Sequence, residues 1–119
     1  LIAEDDLQVR NLALTVLKRK GYTVLSASNG AEALEKLKAH KGPVHLLLTD
    51  VIMPDSNGKE LYEQIADIRP DIRVLYMSGY TDDALARHGI VDSRVNFIEK
   101  PFSVKFLAAK VRTVLDQSL

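Results

Sequence analysis

What most limits the fold of this chain is an alternation of short apolar runs with segments of helical period, sustained along its 119 residues. The run from Val44 to Thr49 is almost unbroken apart from His45, which suits a strand covered on both faces better than one wet on a side. Tyr22 to Ala27, Arg73 to Met77 and Val95 to Ile98 read as further strands, and Leu1-Ile2-Ala3 as the end of another. Amphipathic segments lie between them. From Leu7 to Lys20 the residues Val9, Leu12, Ala13, Val16 and Leu17 share one helical face, and Gly21 after two basic residues is a stop. Asn29 is placed to cap a second helix with Ala33, Leu34 and Leu37 inward. A third spans about Lys59 to Arg69 and buries Leu61, Ile65 and Ile68 before Pro70. A short helix covers Asp82 to His88, and the last runs from Ser103 to Gln117 with Val104, Leu107, Ala108, Val111 and Leu115 inward.

Strands alternating with helices predict an α/β domain: a doubly wound, five-stranded parallel sheet with five helices on its two faces and right-handed crossovers. Five strands favour the flavodoxin-like order 2-1-3-4-5. The length suits one domain, residues 1–119, without linker or repeat. Sixteen basic residues cancel sixteen acidic ones, so no whole-chain field draws the protein to nucleic acid or lipid, and neither is an expected partner. The absence of cysteine excludes disulfides, thiol nucleophiles and thiolate metal sites. No apolar run approaches the roughly 20 residues of a membrane span, and the first residues do not resemble a signal peptide. A cytoplasmic domain is expected.

In such a sheet, ligands bind beyond the carboxyl ends of the strands. Glu4, Asp5 and Asp6 follow the first strand, Asp50 the third, Ser78 and Gly79 the fourth, and Lys100 and Pro101 the fifth. Carboxylates therefore converge with one hydroxyl and one ammonium. Two carboxylates about 4 Å apart repel by roughly 4 kcal/mol at an effective dielectric of 20, and one lysine does not balance three acids. The composition points to a hard divalent cation, Mg2+ first. A hard ion beside a lysine and a hydroxyl suits phosphoryl transfer, in which an aspartate can be the nucleophile. Asp6 has a structural role as well, as cap of the first helix.

These residues resemble the receiver domains of two-component signalling, along the whole chain. Glu4-Asp5 matches the acidic pair of that family, and Asp50 with Met53-Pro54 and Gly58 matches its phosphoacceptor segment, D-x-x-M-P-x-x-x-G. Ser78 matches the hydroxyl after the fourth strand, and Lys100-Pro101-Phe102 the K-P-F segment after the fifth. The resemblance implies that Asp50 accepts phosphate from a phosphohistidine, that Asp5 binds Mg2+ with support from Glu4, and that the Ile52 carbonyl is a further ligand. Ser78 and Lys100 would then hold the phosphoryl group, and with Asp50 form the reacting set. It implies a histidine kinase or histidine phosphotransfer domain as partner, with a second receiver as a candidate, and a switch rather than a turnover enzyme. Glu4 departs from the commoner Asp, and Phe97 stands where many members carry a tyrosine, so a switch there works by packing alone. Ser78-Gly79-Tyr80 is similar to receivers attached to hybrid kinases.

Three other readings meet obstacles in the sequence. A haloacid-dehalogenase-like phosphatase wants a second aspartate two residues after the nucleophile, where Ile52 stands. An FMN carrier wants a phosphate loop after the first strand, where Glu4-Asp5-Asp6 would repel phosphate. An interaction module that is never phosphorylated has no need of the complete set of site residues. On the first helix, Leu7, Asn11 and Leu14 lie off the inward stripe and are predicted to dock the phosphodonor.

Overall fold

A computed structural model of the chain describes residues 1–53, 55, 57–78 and 96–117. Its strands are β1 (Ile2–Ala3), β2 (Ser26–Ala27), β3 (Leu46–Asp50), β4 (Arg73–Ser78) and β5 (Phe97–Glu99), and its helices are α1 (Leu7–Arg19), α2 (Gly30–Ala39), α3 (Gly58–Ile68) and α4 (Val104–Leu115). The strands form one parallel sheet in the order β2-β1-β3-β4-β5, as the alternation predicts. The helix predicted at Asp82–His88 lies outside the described residues.

Both faces of the sheet are covered, which is why β3 reads as continuous apolar sequence. On one face Ile2, Leu48, Leu75, Met77 and Ile98 pack with Ala13, Val16 and Leu17 of α1 and with Leu107, Val111 and Val114 of α4. On the other, Ala3, Ala27 and Leu47 pack with Ala33 and Leu37 of α2 and with Leu61 and Ile65 of α3. Neighbours such as Leu47 and Leu48 point to opposite faces, the period of two that a strand imposes.

The helix ends follow their sequence signals. Asp6 Oδ1 accepts from the N–H groups of Gln8 at 2.9 Å and Val9 at 3.2 Å, and Asn29 Oδ1 from Glu32 at 2.8 Å. Gly21 takes φ +94°, and its N–H donates to the Lys18 carbonyl while that of Tyr22 donates to Leu17, which satisfies the last carbonyls of α1.

Several inward assignments need correction. Leu12 is 38% exposed, whereas Leu14 is half-buried against the α1–α4 core, so of the three residues expected to dock the phosphodonor Leu7 and Asn11 are the exposed ones. Ile68 and Val104 are exposed, each at the end of its helix where the core has receded. Strand β2 spans only Ser26–Ala27, because β1 pairs with it only at Ile2 and Ala3.

Candidate functional site

The carboxyl ends of β1, β3, β4 and β5 place the polar residues together. Chain direction leaves β1 at Glu4, whose N–H donates to the Ala27 carbonyl at 3.0 Å, so its side chain is fixed by the sheet before it meets any partner. The Glu4 side chain is fully buried, Asp5 is exposed, and Asp50 lies at the mouth, 9% exposed. Carboxylate oxygens of these three come within 4.8 Å of one another. Lys100, directly after β5 and followed by a cis peptide bond to Pro101, places its Nζ on Glu4 Oε1 and 3.1 Å from Asp50 Oδ2.

Two of the carboxylates are held by the backbone. Asp50 Oδ1 accepts from the Val51 N–H at 3.1 Å, and Glu4 Oε2 from the Asp6 N–H at 3.4 Å. Ser78 is buried at the end of β4, and its carbonyl accepts from the Lys100 N–H at 2.9 Å, which joins the fourth and fifth strand ends. Ile52 sits in the connection from β3 to α3, half-buried and in an antiparallel bridge with Asn57. Gly58 is the closest fit in the region: a Cβ there would run into the Asp50 carbonyl oxygen, nearer than real Cβ atoms come, and would press on Thr49 and Tyr76 at 3.2 Å each.

The charges are out of balance, and the titration of the cluster reflects it. Burial pushes the Glu4 carboxyl up to about 7; Lys100 pulls it back, while Asp50 pushes the same way as burial. Burial works to lower the Lys100 ammonium, yet its bond to Glu4 and the charge of Asp50 outweigh this and raise it above its ordinary value. Three carboxylates face one ammonium, and every donor is oxygen. That donor set fits a hard divalent cation such as Mg2+ and gives no foothold to a soft one. A cavity of about 650 Å³ lies at the other end of the sheet, among Tyr22, Val24, Val44 and Leu46, apart from the acidic cluster.

A model of the response regulator receiver domain family matches residues 1–112. The chain belongs to that family. Receivers are the phosphoacceptor switches of two-component systems; they work with histidine kinases or phosphotransfer proteins and generally bind Mg2+ at their acidic site. This receiver is 38% identical over 117 residues to the sensor kinase CckA of Brucella abortus, with 98% of the chain matched to 12% of the kinase. It is 33% identical to the response regulator receiver protein CpdR of the same organism, covering 97% of the chain and 94% of CpdR. Among solved structures, the receiver domain of the hybrid histidine kinase CckA superposes with a TM-score of 0.80 at 33% identity, over 97% of this chain and 96% of that one. The receiver thus spans about an eighth of the length of one relative and nearly all of another.

Of the residues singled out in the sequence, Glu4, Asp5, Asp50 and Lys100 meet directly, Ser78 joins them through the backbone of Lys100, and Ile52 stands beside them. Two residues of this receiver were not foreseen. Arg10 donates from Nη1 to the Glu4 carbonyl at 2.8 Å, and Asp55 bonds to the start of α2. Arg10 falls one helical turn beyond the Asp6 cap, a spacing that could have suggested it. Nothing local to Asp55 points to a partner 24 residues earlier.

Proposed function

We propose that Asp50 is the phosphoacceptor and that this receiver takes its phosphoryl group from the phosphohistidine of a histidine kinase or phosphotransfer domain. An Asp50 carboxylate oxygen attacks phosphorus; the O–P bond forms as the N–P bond breaks, and the imidazole nitrogen leaves with the electron pair. The Val51 N–H holds Oδ1 and so fixes the plane of the attacking carboxylate. Lys100, already 3.1 Å from Asp50, pairs with a phosphoryl oxygen, and the Ser78 hydroxyl donates to another. Asp5, Asp50 and the Ile52 carbonyl hold Mg2+, with Glu4 in support. When bound, the ion neutralises oxygen charge that one lysine cannot.

The observation that carries this reading is the placement of Asp50 at the end of β3, beside two other acids and with Lys100 bonded to both Asp50 and Glu4. On this reading the protein acts in the cytoplasm as a switch and not as a turnover enzyme: the acyl phosphate is its product and its signal. Donor docking belongs to the exposed start of α1, where Leu7 is 59% exposed and Asn11, one turn on, is exposed as well. With no charge excess, the domain has no call for direct contact with nucleic acid.

The test is phosphorylation by a small-molecule donor such as acetyl phosphate across a Mg2+ titration, in wild type and Asp5→Asn. Wild type is expected to depend on Mg2+ and the variant to need much more of it. Equal Mg2+ dependence in the two proteins would remove Asp5 from the metal site.

A further inference from the structure

A backbone carbonyl that serves a metal has to be held in place by the groups around it. At its base, the connection from β3 to α3 is fixed by the bridge between Ile52 and Asn57 and by the Gly58 N–H, which donates to the Val51 carbonyl at 2.7 Å. Farther out stands Asp55, exposed, with both carboxylate oxygens engaged. Oδ1 accepts from the Gly30 N–H at 3.0 Å and Oδ2 from the Ala31 N–H at 2.9 Å.

Those donors are the first two N–H groups of α2, and the local cap of that helix does not serve them. Asn29 takes the Glu32 N–H at 2.8 Å, and the Glu32 carboxylate turns back to the Ser28 N–H at 2.6 Å. Asp55 thus completes the end of α2 from another part of the chain. The start of α2 is itself tied to the acidic cluster, because it follows β2 by two residues and the Ala27 carbonyl accepts from the Glu4 N–H. Ile52 and Asp55 lie three residues apart on one connection, Asp55 bonds to Gly30 and Ala31, and Ala27 just before that helix bonds to Glu4.

We infer that Asp55 is a positioning residue for the acidic site, its two-oxygen bond to the start of α2 setting where the Ile52 carbonyl stands relative to Glu4. The inference rests on the reading of Ile52 as a metal ligand. It explains why an exposed side chain spends both oxygens on one helix end: the bond joins two segments that must hold a fixed distance for a shared ion. Because coupling is reciprocal, a bound cation tightens the Gly30 and Ala31 N–H groups by the factor that Asp55 contributes to its binding.

The test compares Mg2+ affinity, followed by NMR titration, in wild type, Asp55→Ala, Asp55→Asn, Asn29→Ala and Asp5→Asn, with amide exchange at Gly30 and Ala31 read in the same samples. Asp55→Ala should weaken Mg2+ by roughly threefold to tenfold, less than when the lost partner bonds a ligand directly. Asp55→Asn, with one acceptor oxygen, should fall between it and wild type. Asn29→Ala, which loosens the same helix end without touching Asp55, should bind Mg2+ as wild type does. At saturating Mg2+ the rate of phosphorylation by acetyl phosphate should recover in Asp55→Ala. If Asp5→Asn loses Mg2+ while Asp55→Ala keeps wild-type affinity, even with Gly30 and Ala31 exchanging faster, Asp55 is a helix cap and nothing more. Equal losses in Asp55→Ala and Asn29→Ala would also overturn the inference. If Asp5→Asn too binds as wild type, the metal reading fails and takes the inference with it. Should Asp55→Ala not fold, the Asp55→Asn comparison decides.

Discussion

At the scale of residues, the site is made by what its neighbours forbid. Gly58 has no Cβ because the Asp50 carbonyl occupies the space, and Gly58→Ala must move either β3 or the start of α3. Urea unfolding should show a loss of about 1–3 kcal/mol, the usual cost of overpacking, together with slower phosphorylation at Asp50. A stable variant with normal phosphorylation would mean that the close approach is not needed. Asp55 supplies a different signature. The Gly30 and Ala31 N–H groups hold its carboxyl below the ordinary value of 3.8, so its contribution is present above that pH and fades as pH falls through the lower folded value. The stability difference between wild type and Asp55→Ala should therefore be constant near neutrality and shrink below pH 3.8, and it should be small because the group is solvated. A difference that grows on acidification would contradict the hydrogen-bonded carboxylate. The convergence of Glu4, Asp5, Asp50, Ser78 and Lys100 was legible in the sequence because strand ends in a parallel sheet share one edge, which turns four distant segments into one place. Asp55 was not legible, since its partners belong to a helix that only the folded chain brings near.

At the scale of elements, the first helix shows where a sequence pattern suffices and where it misleads. Its cap, its length and its glycine stop follow from Asp6, the apolar period and Gly21. Its rotation does not. Leu12 and Leu14 both carry leucine, and a stripe drawn from spacing alone puts Leu12 inward; the packing of α4 against α1 draws Leu14 toward the core instead. The two leucines of the outer line therefore separate in function. Leu14→Asp should destabilise the fold by on the order of 2 kcal/mol, because it places a charge against apolar neighbours. Leu7→Asp should leave unfolding unchanged and slow transfer from a phosphohistidine donor by about tenfold, with acetyl phosphate still effective. Equal effects on both donors would mean that Leu7 is structural. The short strands were harder to bound: Tyr22 to Ala27 has strand composition throughout, but β1 pairs with β2 only over Ile2 and Ala3.

At the scale of the whole molecule, the sheet carries the site to a distant face. Phe97 on β5 pairs with Tyr76 on β4, and Lys100 follows two residues after Ile98, so on the proposed reading movement of Lys100 toward a phosphoryl group is expected to pull on β5 and the start of α4. Phe97 is half-buried against Val51 and Tyr76 and has no hydroxyl, so the response expected there is a change of packing. Hydrogen exchange with beryllofluoride and Mg2+ should change at Phe97–Glu99 and at the first turn of α4 as well as around Asp50; a response confined to Asp50 would contradict a switch. Everything downstream depends on one covalent bond. The most direct measurement is mass spectrometry with peptide mapping after incubation with acetyl phosphate and Mg2+, on wild type and Asp50→Asn. Wild type should gain a single base-labile phosphoryl group on the peptide containing Asp50, and Asp50→Asn should gain none. An adduct that survives base, that maps to Ser78, or that persists in Asp50→Asn would contradict the central claim.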